Sequence, residues 1–113
     1  MKLSLAYVIF FFPSIASAEP AFPYVGTVSG QANVKDGDDI IVSGIDVRLQ
    51  GVAAPEWNSS KREVGGKEAF SALSRIADGK DVICYLDGTQ TRGRVVGVCE
   101  VDGQDVGPPC QQE

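Results

Sequence analysis

The stretch of sequence that decides the fold is DGDDIIVSGIDVRLQGVAAPE, residues 36–56. Its first three residues are a turn signal, and the β-branched run over residues 39–43 predicts a short strand. The dipeptide Ser43-Gly44 favours a hairpin turn, after which residues 45–52 alternate between apolar and polar side chains. Alternation is typical of a half-buried strand. The stretch therefore predicts a β-hairpin with one apolar face.

The remainder of the chain completes one pattern of elements. Upstream, a strand is predicted to begin at Val25. Downstream, apolar residues recur at three- and four-residue steps over 64–77, which predicts an amphipathic helix ended by Gly79. Two more strands are predicted over 81–86 and 94–101. This order predicts a mainly β, α+β fold: a five-stranded OB-fold barrel with its helix between strands 3 and 4.

Three cysteines occur in the chain, Cys84, Cys99 and Cys110. Opposed residues of an antiparallel hairpin have a constant sum of residue numbers. The sum for Cys84 and Cys99 equals that for Thr91 and Arg92, at the middle of the predicted loop between the last two strands. The two cysteines should then lie about 4.5–5.5 Å apart at Cα, which suits a disulfide. We predict a Cys84–Cys99 disulfide, with two free buried cysteines as the alternative.

The N-terminus has the features of a signal peptide. An apolar run over residues 3–12 follows Lys2, and Ala16-Ser17-Ala18 is the small-x-small pattern of a cleavage site. The run is shorter than the roughly 20 residues of a membrane span, so cleavage is favoured over anchoring. The predicted organisation is a signal peptide over 1–18, a linker over 19–24, an OB-fold domain over 25–107 and an irregular tail over 108–113.

Composition restricts the chemistry that the chain can carry. Its net charge is −5, so its overall field does not attract nucleic acid, and phosphate binding requires a local arginine cluster or a metal ion. The chain has no histidine, which excludes a histidine base, a Ser-His-Asp triad and a histidine zinc site. We expect a secreted or periplasmic monomer without stable membrane association after signal cleavage.

Four short motifs occur in order along the chain: DGDD at 36–39, RLQGVAAPE at 48–56, GKEA at 66–69 and TRGR at 91–94. Together they resemble the DGDT, RL…GIDAPE, GKEA and YGR motifs of the thermonuclease (staphylococcal-nuclease-like, SNase-like) family. The resemblance covers nearly all of the chain after its leader. It implies a secreted nuclease, a hydrolase that cleaves phosphodiester bonds of DNA or RNA.

The resemblance also implies roles for particular residues. Arg48, Glu56 and Arg94 match the family's catalytic residues. A carboxylate such as Glu56 can orient or deprotonate water, and Arg48 and Arg94 can donate paired hydrogen bonds to phosphate oxygens. Arg92 adds a third phosphate-binding cation. Asp38 matches a metal-binding aspartate and suits a hard cation such as Ca²⁺.

Two departures from the family pattern weaken the implied metal site. Ala53 stands where the family has its second metal-binding aspartate, and Asp39 replaces the threonine of the DGDT turn. Because side chains alternate along an extended segment, Asp38 and Asp39 are predicted to diverge. The sequence therefore predicts a Ca²⁺ site that is weak or lost, with reduced activity.

The family continues into helices after its fifth strand, whereas residues 108–113 read PPCQQE, and two prolines do not start a helix interior. A natural truncation and a change of reading frame both stay open. Two other functions also stay open. One is a non-catalytic OB-fold binding or accessory module, for example in an envelope or exopolysaccharide pathway. The other is an incomplete gene product that folds poorly.

Overall fold

The computed structural model describes residues 23–57 and 60–107. The predicted signal peptide, the tail and Cys110 lie outside the described residues. Within them, no helix is long and apolar enough to cross a membrane. The elements are β1 (Gly26–Asp36), β2 (Asp39–Val42), β3 (Ile45–Leu49), α1 (Gly66–Ala77), β4 (Asp81–Thr91), β5 (Arg94–Val101) and β6 (Gln104–Asp105).

The first five strands form a closed barrel. β1 pairs antiparallel with β2 and with β4, β2 pairs with β3, and β4 pairs with β5. A parallel pairing of β3 with β5 closes the circle, and the short β6 adds to the edge of β5. The chain is therefore mainly β with one helix between strands 3 and 4, which confirms the predicted OB-fold-like α+β class.

The hairpin of β2 and β3 supplies much of the core. Val47 and Leu49 are buried and Gln50 is exposed, so the predicted alternation of faces is confirmed. The strand ends at Leu49, however, and the predicted extension to Val52 is wrong. Gly51 adopts a positive φ of 74°, and the Leu49 carbonyl accepts the Val52 N–H at 3.3 Å. This turn aims Val52 back into the core, where it is buried.

The helix packs against β1 and is shorter than predicted at its start. Val64 lies before α1 and is 99% exposed, so its place in the apolar pattern was wrong. Leu73 and Ala77 are buried, as the periodicity predicts. The end of α1 is attached to β1, because the Asp78 carboxylate accepts the backbone N–H of Val34 at 2.9 Å. This attachment fixes the helix on the barrel wall.

The predicted pairing of the two cysteines is confirmed, although the turn from which it was predicted lies one residue further along the chain. Cys84 and Cys99 are directly opposed on β4 and β5 and form a disulfide with Cα atoms 4.0 Å apart. The turn is Arg92-Gly93, with φ of 53° and 81°, as in a type I′ hairpin.

The loop predicted after residue 86 is wrong, because β4 continues to Thr91 across a bulge between Leu86 and Gln90. Gly88 has a φ of 92° there, and the Asp87 carboxylate accepts the Thr89 N–H at 2.8 Å. The later turn and the bulge shift the register in opposite directions. The two errors therefore cancel at the cysteines.

Candidate active site

Charged side chains from five segments surround an open cavity of about 300 Å³. It lies where the end of β1, the start of β2, β3, the loop after β3 and the β4–β5 turn meet. Four carboxyl groups and three cationic groups line it: Lys35, Asp36, Asp39, Asp46, Glu56, Arg92 and Arg94, together with Gly93. Three of the residues predicted from the sequence, Glu56, Arg92 and Arg94, are therefore brought together in this cavity.

The backbone of Glu56 is held on both sides. The Glu56 N–H donates to the Glu63 carboxylate at 2.9 Å, and the Glu63 N–H donates to the Glu56 carbonyl at 2.9 Å. The next residue, Trp57, donates its N–H to the buried Asp36 carboxylate at 2.8 Å. Gly66 leaves room for this arrangement, since a Cβ there would clash with the Glu56 carbonyl. Glu56 thus sits on a fixed backbone at the cavity.

Replacing Asp36 with alanine is expected to loosen the Glu56 loop and to destabilise the fold by about 1 kcal/mol, because the half-buried Trp57 N–H loses its acceptor. Urea unfolding followed by circular dichroism measures this loss. Asp36→Asn is the matched control, since its amide oxygen still accepts the hydrogen bond. Equal destabilisation by both variants would show that the charge of Asp36, and not this bond, is what matters.

Arg94 lies against a pair of carboxyl groups, of which Asp39 is buried and Asp46 is half-buried. Its Nη1 is 3.6 Å from Asp39 Oδ2, and Lys35 Nζ is 2.9 Å from Asp46 Oδ2. The Oδ1 atoms of Asp39 and Asp46 are both buried without another hydrogen-bond partner. A proton shared between the two carboxyl groups provides a hydrogen bond for both Oδ1 atoms. A protonated carboxyl group does not neutralise the guanidinium beside it. Arg94 therefore presents positive charge to the cavity that it lines.

The two carboxyl groups have opposite pKa shifts. Burial and the hydrogen bond to Asp46 raise the pKa of Asp39 to about 8. Burial alone would raise the pKa of Asp46 as well, but hydrogen bonds with Asp39 and Lys35 hold it below the usual value. One carboxyl group of the pair is thus protonated and the other ionised across the neutral range.

This pair predicts a pH dependence of stability. Between about pH 4 and pH 8 the folded protein keeps the Asp39 proton while the unfolded chain loses it. The contribution of Asp39 to stability is therefore complete below pH 4 and lost as the pH rises to about 8. Asp39→Asn should remove this loss, on the order of 2 kcal/mol. Urea unfolding at pH 5 and at pH 8.5 measures it; parallel decreases in wild type and variant would contradict the assignment.

Arg48 and Asp38 do not line this cavity. Arg48 Nη2 is 3.6 Å from Asp38 Oδ2 and donates to the Val52 carbonyl at 3.2 Å. Arg48 and Ala53 instead line a second cavity of about 330 Å³, formed by the end of β3, the turn after it and Val96 of β5. The structure thus pairs Arg48 with Asp38, and neither residue is among those that line the cavity with Glu56 and Arg94.

Ca²⁺ takes six or more oxygen ligands, and Asp38, the metal-binding aspartate that the sequence predicts, is engaged by other groups of the protein. The Asp38 Oδ2 atom already lies 3.6 Å from Arg48 and accepts the Ala54 N–H at 3.3 Å. Asp39 contacts Arg94 instead, in agreement with the predicted divergence from Asp38. Among residues 23–57 and 60–107, no three acidic or cysteine side chains are grouped as a metal ligand set. We assign no catalytic step to a metal ion.

Calcium is accordingly expected to bind weakly. Isothermal titration with CaCl₂ should give no saturable heat in the micromolar range, because Asp38 is engaged by Arg48 and Ala53 provides no ligand. Ala53→Asp restores a carboxylate and is expected to strengthen binding. Micromolar affinity in the wild-type protein would contradict this prediction.

Three cavity residues were missed by the sequence analysis: Lys35, Asp36 as a backbone acceptor, and Asp46. Asp46 could have been found, because it lies two residues before Arg48 on the polar face of β3. Lys35 belongs to no sequence motif that would mark it as a site residue. Its partner Asp46 is on β3, on the far side of β2, so the contact depends on the register of three adjacent strands.

Fold and cavity together define a small OB-fold-like α+β barrel with an open, charged site. The chain is similar to the succinoglycan biosynthesis protein ExoI of Rhizobium meliloti (strain 1021), with 40% identity over 87 residues. The match covers 70% of this chain and 46% of ExoI, so the chain spans about half the length of that relative. No protein-family model matches the chain.

Proposed function

We propose that this protein is an exported phosphodiester hydrolase of the thermonuclease-like class, with weak activity on DNA or RNA. The observation that carries the proposal is the meeting of Glu56, Arg92 and Arg94 in one open cavity. A carboxylate can act as the general base, and two guanidinium groups beside it can stabilise the charge that develops on a phosphate diester.

The residues suggest a direct mechanism. Arg94, with Arg92 at the tip of the turn, holds the non-bridging oxygens of the phosphate. Glu56 accepts a proton from a water molecule as the water oxygen forms a bond to phosphorus. The bond from phosphorus to the leaving oxygen breaks, and that oxygen is protonated from solvent. The guanidinium groups stabilise the negative charge that builds on the phosphate oxygens during the step.

Three features favour slow turnover. Arg48 is paired with Asp38 and lines a different cavity. Ala53 provides no metal ligand. The net charge of −5 gives no long-range attraction to a polyanion. The proposed enzyme thus depends on Glu56 and on the local arginines alone.

Export is part of the proposal. The Cys84–Cys99 disulfide is typical of proteins that fold in an oxidising compartment. The leader-like N-terminal sequence agrees with secretion or a periplasmic location.

Nicking of supercoiled plasmid and cleavage of single-stranded DNA test the proposal, with and without Ca²⁺. The wild-type protein and Glu56→Ala are compared, and circular dichroism establishes that both are folded. Cleavage that is lost in the variant supports the nuclease. Cleavage that persists unchanged in Glu56→Ala points to a contaminant and contradicts it. An unfolded wild-type protein would favour the incomplete gene product.

A second candidate is a non-catalytic accessory module in an exopolysaccharide pathway. The observation that favours it is the similarity to a protein named for succinoglycan biosynthesis. OB-fold barrels bind oligosaccharides as well as oligonucleotides, and the four carboxyl groups of the cavity suit hydroxyl groups of a sugar. A folded protein without nuclease activity that binds an oligosaccharide in calorimetry would favour this candidate.

A further inference from the structure

The chain has one tryptophan, Trp57, and its backbone lies beside two residues that line the cavity, Asp36 and Glu56. It follows Glu56 directly, and its N–H is bonded at 2.8 Å to Asp36, which lines the cavity with Glu56. Trp57 also forms an isolated antiparallel bridge with Arg62. Its Cβ lies against the start of α1, where a Cβ added at Gly66 would be 3.1 Å away. The backbone and the Cβ atom of Trp57 are therefore held by three separate contacts.

The ring of Trp57 carries a stacked cation. The guanidinium carbon of Arg62 lies 4.9 Å from the ring centroid, in the range of a cation–π interaction. Trp57 as a whole is half-buried, so part of the residue stays open to solvent. A rigid aromatic with a guanidinium beside it loses little freedom when a planar group stacks on it.

We propose that Trp57, with Arg62 stacked on it, is a subsite for a nucleobase of single-stranded nucleic acid. The base would belong to a nucleotide next to the phosphate that Arg94 and Arg92 hold. This inference rests on the proposed phosphodiesterase function and names its substrate class. Stacking requires a base that is free of its neighbours, so single strands are preferred over duplexes.

The surrounding charges favour a nucleotide over a sugar. Arg62 at the ring and Arg92 and Arg94 in the adjacent cavity are guanidinium groups, which bind phosphate and stack on planar π systems. A phosphate forms charge-assisted hydrogen bonds with these cations, whereas a neutral oligosaccharide has no charge to pair with them. The acidic net charge of −5 opposes indiscriminate binding of polyanions, so a stacking contact supplies affinity that the overall field does not.

Fluorescence of Trp57 tests this proposal, because no other tryptophan is present. The full chain carrying Glu56→Gln, which prevents cleavage, is titrated with a single-stranded oligothymidylate of about eight nucleotides. An abasic strand of the same length and charge is the matched probe. The base-containing strand is expected to quench Trp57 emission saturably, whereas the abasic strand leaves it nearly unchanged.

Variants separate stacking from a structural role. In fluorescence anisotropy with a labelled strand, Trp57→Leu should weaken binding about 10-fold, in line with alanine substitutions of stacking aromatics. Trp57→Phe should retain most of the affinity, because a smaller aromatic still stacks. Tyr24→Leu is the control, since Tyr24 packs on Tyr85 near the other end of β1.

Several outcomes would overturn the proposal. These are unchanged Trp57 emission while the strand binds, equal quenching by the abasic strand, or equal affinity of Trp57→Leu. Quenching by a neutral oligosaccharide, without a response to the oligonucleotide, would also overturn it. If the wild-type protein cleaves DNA and Trp57 does not respond, this inference fails alone. If the protein neither cleaves nor binds the strand, the proposed function fails as well.

Discussion

Replacing Glu56 with glutamine is expected to lower the rate of phosphodiester hydrolysis by about 10²–10⁴-fold, the usual contribution of a positioned general base. Glutamine has nearly the same shape and leaves the backbone bonds to Glu63 and the contact with Gly66 in place. It cannot accept a proton from water at neutral pH. Initial rates on a labelled single-stranded oligonucleotide measure the loss.

Glu68→Gln is the matched control. Glu68 is an exposed glutamate in the first turn of α1, and its substitution changes the net charge by the same amount as Glu56→Gln. Its activity should equal that of the wild-type protein. A similar decrease in both variants would indicate a general effect of charge on substrate binding, and the role assigned to Glu56 would then be wrong.

Removal of the disulfide has the second large expected effect. Cys84→Ala combined with Cys99→Ala should lower the free energy of unfolding by about 3 kcal/mol, the value for a closed loop of about 15 residues. The two cysteines are 15 residues apart and fully buried, and alanine adds no polar group to the core. Domains near 100 residues have thin cores, so a loss of about 3 kcal/mol is a large part of their free energy of unfolding.

Urea unfolding of the oxidised protein, the reduced protein and the double variant measures the contribution of the disulfide. Reduction and double substitution should shift the midpoint similarly, while Cys110→Ser in the oxidised protein leaves it unchanged. An unchanged midpoint on reduction would contradict a structural role for the bond.

The sequence predicted the parts of the fold that local patterns determine. The hairpin of β2 and β3, the helix end and the fifth strand follow from alternation, turn dipeptides and helical periodicity. The continuation of β4 to Thr91 did not, because Gly88 and Asp87 look like a loop when the partner strand is unknown. The cysteine register was right although the turn was misplaced by one residue.

The site was predictable only where motifs mark it. Glu56, Arg92 and Arg94 were found from their motifs, and the structure places them in one cavity. The contacts of Arg48 with Asp38 and with the Val52 carbonyl were not predictable, since they depend on the turn after Leu49. The contact of Arg94 with Asp39 was not predictable either, because β5 and β2 are far apart in sequence.

Incubation of an end-labelled single-stranded oligonucleotide with the disulfide-bonded protein and with its Glu56→Gln variant decides whether this cavity is an active site. Both proteins are purified in parallel, and products are separated by gel electrophoresis. We predict slow but measurable cleavage by the wild-type protein and a loss of at least about 100-fold in the variant. Equal cleavage by the two proteins, or none by a folded and oxidised wild-type protein, would contradict the proposed phosphodiesterase.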